Sequence, residues 1–299
     1  MEQLEQWARW LDRQVPAGGW HDKIFSYCER GGDAGFWAEP LNAWSNGAFL
    51  LASLAALLLW LMAPTGRRGA FELLLIVFVF VIGTGSFLFH TLATRWAAIA
   101  DVAPIGIFMM LYVGYALRRL AGLGWLVTLA GVALFAVALW QAGQMRCGER
   151  LCLGGSVAYL PALGALLVMG LLLVVMRRPA WRYFVAGSVV FAVSLTFRTF
   201  DRSWCPNTVF YDFGRVGTHL WWHVLNALLL YLLLRAAILY GTGATTRREA
   251  IEPTVLVPAC LRARWNWSGM PYLELRGFVR AGSTSVVRII HKTREKSKP

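Results

Sequence analysis

The chain has 299 residues, 58% of them hydrophobic and only 15% charged, with a formal net charge of +13 and a mean hydropathy of +0.53. A soluble domain of this length usually carries about 25% charged residues, so the composition argues against a soluble protein and for an integral membrane one. The positive surplus raises the question of nucleic acid, but no nucleic-acid-binding motif accompanies it and its placement follows membrane topology instead. No nucleic-acid partner is expected.

Residues 1–42 read as an extracytoplasmic segment. Leu4, Trp7, Leu11 and Val15 recur at helical spacing and predict a short interfacial helix, with Trp7 and Trp10 suited to the headgroup layer. Packing of that helix on the protein's own loops is an equal alternative. The segment has acids and tryptophans where a secretory signal would have an apolar core, so no cleavable signal is expected. Tyr27 through Asp33 is turn-like, and Ala38-Glu39-Pro40-Leu41-Asn42 leads into the first apolar run. Pro40 fits the first turn of a helix, where its missing N–H costs nothing.

Seven long apolar runs follow, at 43–62, 70–92, 97–118, 122–142, 155–176, 181–200 and 213–240. About 20 apolar residues in a helix cross the hydrocarbon core. Within a bilayer only helices or closed barrels satisfy the backbone, and these runs are too long and continuous for barrel strands. The expected fold is therefore all-α and integral to the membrane, a seven-transmembrane helix bundle over residues 43–240.

Arg67 and Arg68 fall in the first connection, Arg118 and Arg119 in the third, and Arg177, Arg178 and Arg182 in the fifth. The even connections are poorer, with Arg95, then Arg146 and Arg150, then Arg202. Residues 241–299 form a basic tail with eleven Lys or Arg against four acids, for which no ordered fold is expected. The positive-inside pattern puts the N-terminus outside and the C-terminus in the cytoplasm, and a bacterial inner membrane is the expected location. Cys28, Cys147, Cys152 and Cys205 all fall on the outer side, where disulfides persist. Four cysteines allow three pairings, which this pattern leaves open. Cys260 lies in the tail.

Three of the five histidines, His90, His219 and His223, lie in or at the ends of apolar runs, where polar groups are costly and commonly functional. His219 and His223 are four apart, so both project from one face of the seventh helix, the spacing two helical histidines need to share a metal. His90 ends the second helix, Ser86 lies one turn before it on the same face, and Asp101 opens the third. Alternating topology brings all five to the outer end. Three histidines with an open fourth position match a catalytic zinc site. Such an ion lowers the pKa of a bound water to about 7 and polarises a carbonyl. Asp101 is placed to move the proton and Ser86 to hydrogen-bond a developing oxyanion. Copper or iron also suits imidazole, and a polar cluster that only fixes helix packing is the bland alternative.

At these residues the chain resembles the alkaline ceramidase family, within the superfamily that includes adiponectin receptors and hemolysin III-like proteins. Four blocks carry the resemblance across most of residues 27–230: Tyr27-Cys28-Glu29 with Ala38-Glu39-Pro40-Leu41-Asn42-Ala43-Trp44-Ser45-Asn46; Gly83-Thr84-Gly85-Ser86-Phe87-Leu88-Phe89-His90-Thr91-Leu92; Asp101; and Asp201-Arg202-Ser203-Trp204-Cys205 followed by His219 through His223. Proline after Glu39 looks like the bacterial branch.

The resemblance implies zinc on His90, His219 and His223, assistance from Ser86 and Asp101, and a disulfide between Cys28 and Cys205 that leaves Cys147 and Cys152 as a local pair. It implies cleavage of the amide bond of ceramide or a related N-acyl lipid, with a membrane lipid as substrate. It also marks Glu29 and Glu39 as candidates for Ca2+. Eukaryotic members build that site on an Asp-Trp-Cys-Glu-x-Asn run and a later Glu, whereas here Ser26 and Gly31 stand at the Asp and Asn positions and the interval between the glutamates is one residue shorter. Asp33 is a substitute ligand, and helix capping or pairing with arginine is the alternative for the two glutamates. A seven-transmembrane receptor-like or transport protein with a structural metal is the competing function. Retinal is excluded, since Lys23, Lys292, Lys296 and Lys298 are the only lysines and none is intramembrane.

Overall fold

The computed structural model describes residues 19–65, 68–148, 150–210 and 214–241. The helix expected around Trp7 and Trp10, Arg67, and the tail beyond Gly241 with Cys260 lie outside the described residues.

Among the described residues, seven helices are long and apolar enough to cross a membrane: α1 Pro40–Met62, α2 Ala70–Leu92, α3 Arg95–Leu120, α4 Trp125–Gln144, α5 Cys152–Val175, α6 Trp181–Asn207 and α7 His219–Tyr240. The fold is an all-α seven-transmembrane bundle. Two short antiparallel ribbons sit in the fourth and sixth connections, β1 Arg146–Cys147 with β2 Arg150–Leu151 and β3 Val209–Phe210 with β4 Gly214–Arg215. The main departure from the expected spans is α7, which begins at His219 rather than near 213. Gly214 and Arg215 of this stretch form β4, and Gly217 at φ +70° turns the chain into the helix. A Cβ there would sit 2.4 Å from Asp201 Oδ1, so only glycine fits the turn. The sixth span in turn runs past the expected end at 200, through Asp201 and Arg202 to Asn207.

Each span packs on its neighbours in sequence, and α7 closes the ring on α1 while also touching α2. The apolar windows of α7 and α2 are 61% and 50% buried, against at most 33% for any other span, so the two histidine-bearing helices are the innermost. Their cores interlock through Leu75, Val79 and Ile82 of α2, Phe108 of α3, and Leu234 and Ile238 of α7. The outer faces expose large apolar side chains on every span, among them Leu51, Leu126, Leu134 and Val168. A belt of that extent suits lipid and not water. At the end of the bundle opposite the histidines the Tyr115 hydroxyl donates to Glu72 and lies 3.1 Å from the Ala237 carbonyl, tying α3 to α2 and α7.

Helices α2 and α3 approach backbone to backbone at Gly85, where a Cβ would lie 2.0 Å from the Ala100 carbonyl oxygen. Small residues permit this closeness in membrane bundles. Disulfides join Cys28 to Cys205 and Cys147 to Cys152. The first fastens the segment before α1 to the end of α6.

Candidate metal centre

His90, His219 and His223 are buried and their ring centroids lie 4.6–5.2 Å apart. One nitrogen from each falls within 4.8 Å of the others, the only such group of three or more among the described residues. The three side chains expected to meet therefore do meet.

Two of the rings have their orientation and tautomer set by partners on α1 and just before it. Nδ1 of His90 is 2.6 Å from Glu39 Oε2. Burial alone would raise the Glu39 carboxyl, but the hydrogen bonds from His90, Arg30 and Asn42 hold it below the usual carboxylate range. As an ionised acceptor it takes a proton-bearing Nδ1, which leaves the Nε2 lone pair of His90 for a ligand. Nδ1 of His223 is 2.7 Å from Ser45 Oγ. The Ser45 proton is already donated to the Asn42 carbonyl at 2.8 Å, so the hydroxyl accepts from His223 and again Nε2 carries the lone pair. Partners of this kind are typical of metal-bound histidines.

His219 is held through its backbone. Asp201 Oδ1 accepts from the amides of Thr218 and His219 at 2.7 and 2.9 Å, and Oδ2 accepts from Cys28 N at 3.0 Å. One carboxylate near the end of α6 thus caps α7 and anchors the N-terminal segment. The ring of Tyr27 stacks on that of His219 at 3.8 Å.

His90 Nε2 and His219 Nδ1 are buried without any partner. Leaving such a nitrogen unsatisfied costs about 1–3 kcal/mol, and two of them within one triad fit a bound ion. The residues can hold a metal with three nitrogen ligands and leave a fourth position open, the arrangement of catalytic zinc.

Beside the triad, Ser86 and Asp101 are buried and the Ser86 hydroxyl hydrogen-bonds the Asp101 carboxylate, which lies within electrostatic reach of His90. The backbone approach at Gly85 makes this pair possible. Arg198 of α6 reaches the same region, with Nη1 2.9 Å from Ser156 Oγ and its guanidinium over the rings of Tyr159 and Trp222. Below the triad lies an apolar cavity of about 380 Å³, within the range of small-molecule sites. Phe49, Tyr159 and Trp222 form its histidine end, and Phe108, Met109 and Leu166 line it towards the middle of the bundle. Phe49 packs 6.3 Å from the ring of His223.

Glu29 and Glu39 bind other groups. Glu29 Oε1 and Oε2 accept from the amides of Leu41 and Asn42 at 2.7 and 2.8 Å, capping α1. Glu39 pairs with Arg30 at 2.5 Å as well as with His90. His21 is exposed, and His291 lies outside the described residues. Sequence reasoning gave no roles to Ser45, Asp201, Arg30 and Arg198. Asp201 lies in a block that carries the resemblance, and its place four residues before the linked Cys205 is the available signal. Ser45 lies in the first of the blocks that carry the resemblance, but nothing local ties it to His223, because the contact bridges 178 positions. No protein-family model and no curated protein matches the chain.

Proposed function

We propose that the protein is a zinc-dependent hydrolase of the membrane interior that cleaves the amide bond of ceramide or a related N-acyl lipid, giving a fatty acid and an amine. The observation that carries this reading is the buried histidine triad with orphaned ring nitrogens at the end of an apolar cavity. The cavity suits a long alkyl chain, and the polar end suits the scissile group. His90, His219 and His223 would hold the ion, which would supply Lewis-acid polarisation of the carbonyl and activation of the attacking water.

Asp101 takes the proton released as water adds to the carbonyl carbon, then returns it to the nitrogen as the carbon–nitrogen bond breaks. Ser86 follows that proton. While Asp101 is ionised the hydroxyl donates to it. Once Asp101 is protonated the bond reverses, and the Ser86 hydrogen turns to the oxyanion. Tyr27 is held neutral by burial, which pushes its phenol far above the ordinary value, and it walls the site beside His219. The positive-inside distribution supports an outward-facing centre, with the N-terminus extracytoplasmic, the C-terminus cytoplasmic and a bacterial inner membrane as the location.

The test is metal content and turnover in purified protein, wild type and His223→Ala. The expected result is one zinc per wild-type chain with release of fatty acid from ceramide or another N-acyl lipid, and loss of both in the variant. Bound zinc without turnover of any amide or ester lipid would sink the hydrolase and support a receptor-like or transport protein with a structural metal.

A further inference from the structure

Arg30 is 2% exposed, although it belongs to a polar turn before the first span. All its donor nitrogens meet oxygen. Nε donates to Glu39 Oε1 at 2.5 Å, Nη1 to the carbonyls of Asp33 and Gly35 at 3.1 and 2.9 Å, and Nη2 to the carbonyls of His90 and Thr91 at 2.8 and 3.4 Å. Four carbonyl oxygens and one carboxylate oxygen are the donor types that a calcium ion takes. Here they surround a guanidinium. The same carboxylate, through its second oxygen, holds His90 Nδ1, and the same guanidinium grips the His90 carbonyl. His90 is therefore fixed by Arg30 at both its main chain and its ring.

We propose that Arg30 is the resident cation of this segment: its guanidinium fills the oxygen cage that would otherwise take a divalent ion, so that this segment binds no calcium, and through Glu39 it positions His90 as a metal ligand. Calcium does not fit alongside it. Glu29, the second candidate carboxylate, has both oxygens turned to backbone N–H groups of α1, and an ion at Glu39 would meet a buried positive charge. The planar fork of arginine suits five acceptors in a way a lysine ammonium with three donors does not. The calcium half of the proposal stands without the hydrolase reading; the positioning half rests on the triad being a metal centre.

The experiment uses the full chain, purified in detergent and loaded with zinc or cobalt. Wild type in calcium-free buffer is titrated with millimolar calcium, with radioactive calcium uptake and the unfolding temperature as readouts. No uptake and no shift are expected; saturable uptake near one ion per chain overturns the proposal, and this measurement needs no variant to fold. In Arg30→Ala, calcium is expected to raise the unfolding temperature, because the emptied cage keeps Glu39 and the carbonyls; no response overturns the claim that the cage suits a divalent ion. Zinc affinity of that variant is expected to fall 10–100-fold, as for other partners of metal-bound histidines, with an altered visible spectrum for the cobalt form and partial recovery in Arg30→Lys. Wild-type zinc affinity in Arg30→Ala overturns the positioning role. If wild type itself takes up no transition metal, the metal-centre reading falls, and the calcium titration still decides the cage.

Discussion

Nδ1 of His90 lies 2.6 Å from Oε2 of Glu39, a residue 51 positions earlier in the chain and one step before the first membrane span. The pair joins the segment before the first span to the histidine triad through a charge-assisted hydrogen bond, stronger than a neutral one. Glu39→Gln is expected to keep the fold and to weaken zinc binding about 10–100-fold, measured by competition with a chromogenic chelator. Ser45→Ala removes the neutral partner of His223 and should cost less. Equal affinity in wild type and Glu39→Gln would remove the orienting role of the carboxylate.

The seven spans were readable because length and hydropathy decide them, and α2 and α7 stand within a few residues of the expected runs apart from the start of α7. That start was missed because a glycine turn and a two-residue ribbon carry no apolar signal. The triad was readable through the i, i+4 spacing of His219 and His223 and the topology that puts His90 at the same end. The groups that orient the rings were not. Ser45, Arg30 and Asp201 act across 178, 60 and 18 positions respectively, and local periodicity says nothing about contacts of that range.

Asp101→Asn is expected to retain zinc and lose about 10²–10⁴ in turnover, the usual worth of a positioned acid–base group. An amide at this position still accepts from Ser86 but takes no proton from water. Metal analysis and product release on the same preparation separate the two effects. Full activity would exclude the carboxylate from the proton path.

Gly85→Ala places a methyl group where the Ala100 carbonyl stands 2.0 Å away. Backbone cannot yield as a flexible side chain does, so α2 and α3 must separate. Overpacking of this kind costs about 1–3 kcal/mol, and the separation pulls Ser86 from Asp101. Turnover should fall by more than the loss of stability explains, when assayed well below the unfolding temperature. Unchanged activity would show that the Ser86–Asp101 contact is not needed.

The Cys28–Cys205 link holds the end of α6 to the segment that carries Glu29, Arg30 and Glu39. Neither thiol should react with a maleimide before reduction, and Cys205→Ser should lower stability by about 2–4 kcal/mol. Zinc affinity should fall with it, because Cys28 N also reaches Asp201, which caps α7 at His219. Labelling of both cysteines in the oxidised protein would contradict the link.

Glu29 gives the stability a pH dependence with a definite sign. Burial pushes its carboxyl up from 4.5 to about 7, against the amides of Asn42 and Leu41, which favour the ion. Between about pH 4.5 and 7 the folded chain therefore holds a proton that the unfolded chain releases. Stability linked to Glu29 is highest at or below 4.5, falls as pH rises through this window, and levels off above it. Glu39 runs the other way, but its lowered carboxyl loses its contribution only below 4.5, outside the window. Glu29→Gln removes the titrating group. The difference in unfolding temperature, variant minus wild type, should rise with pH from about 4.5 to 7 and stay flat above it. A difference that is constant across the window would mean that Glu29 is ionised in the folded protein throughout, held by its two backbone amides against the cost of burial.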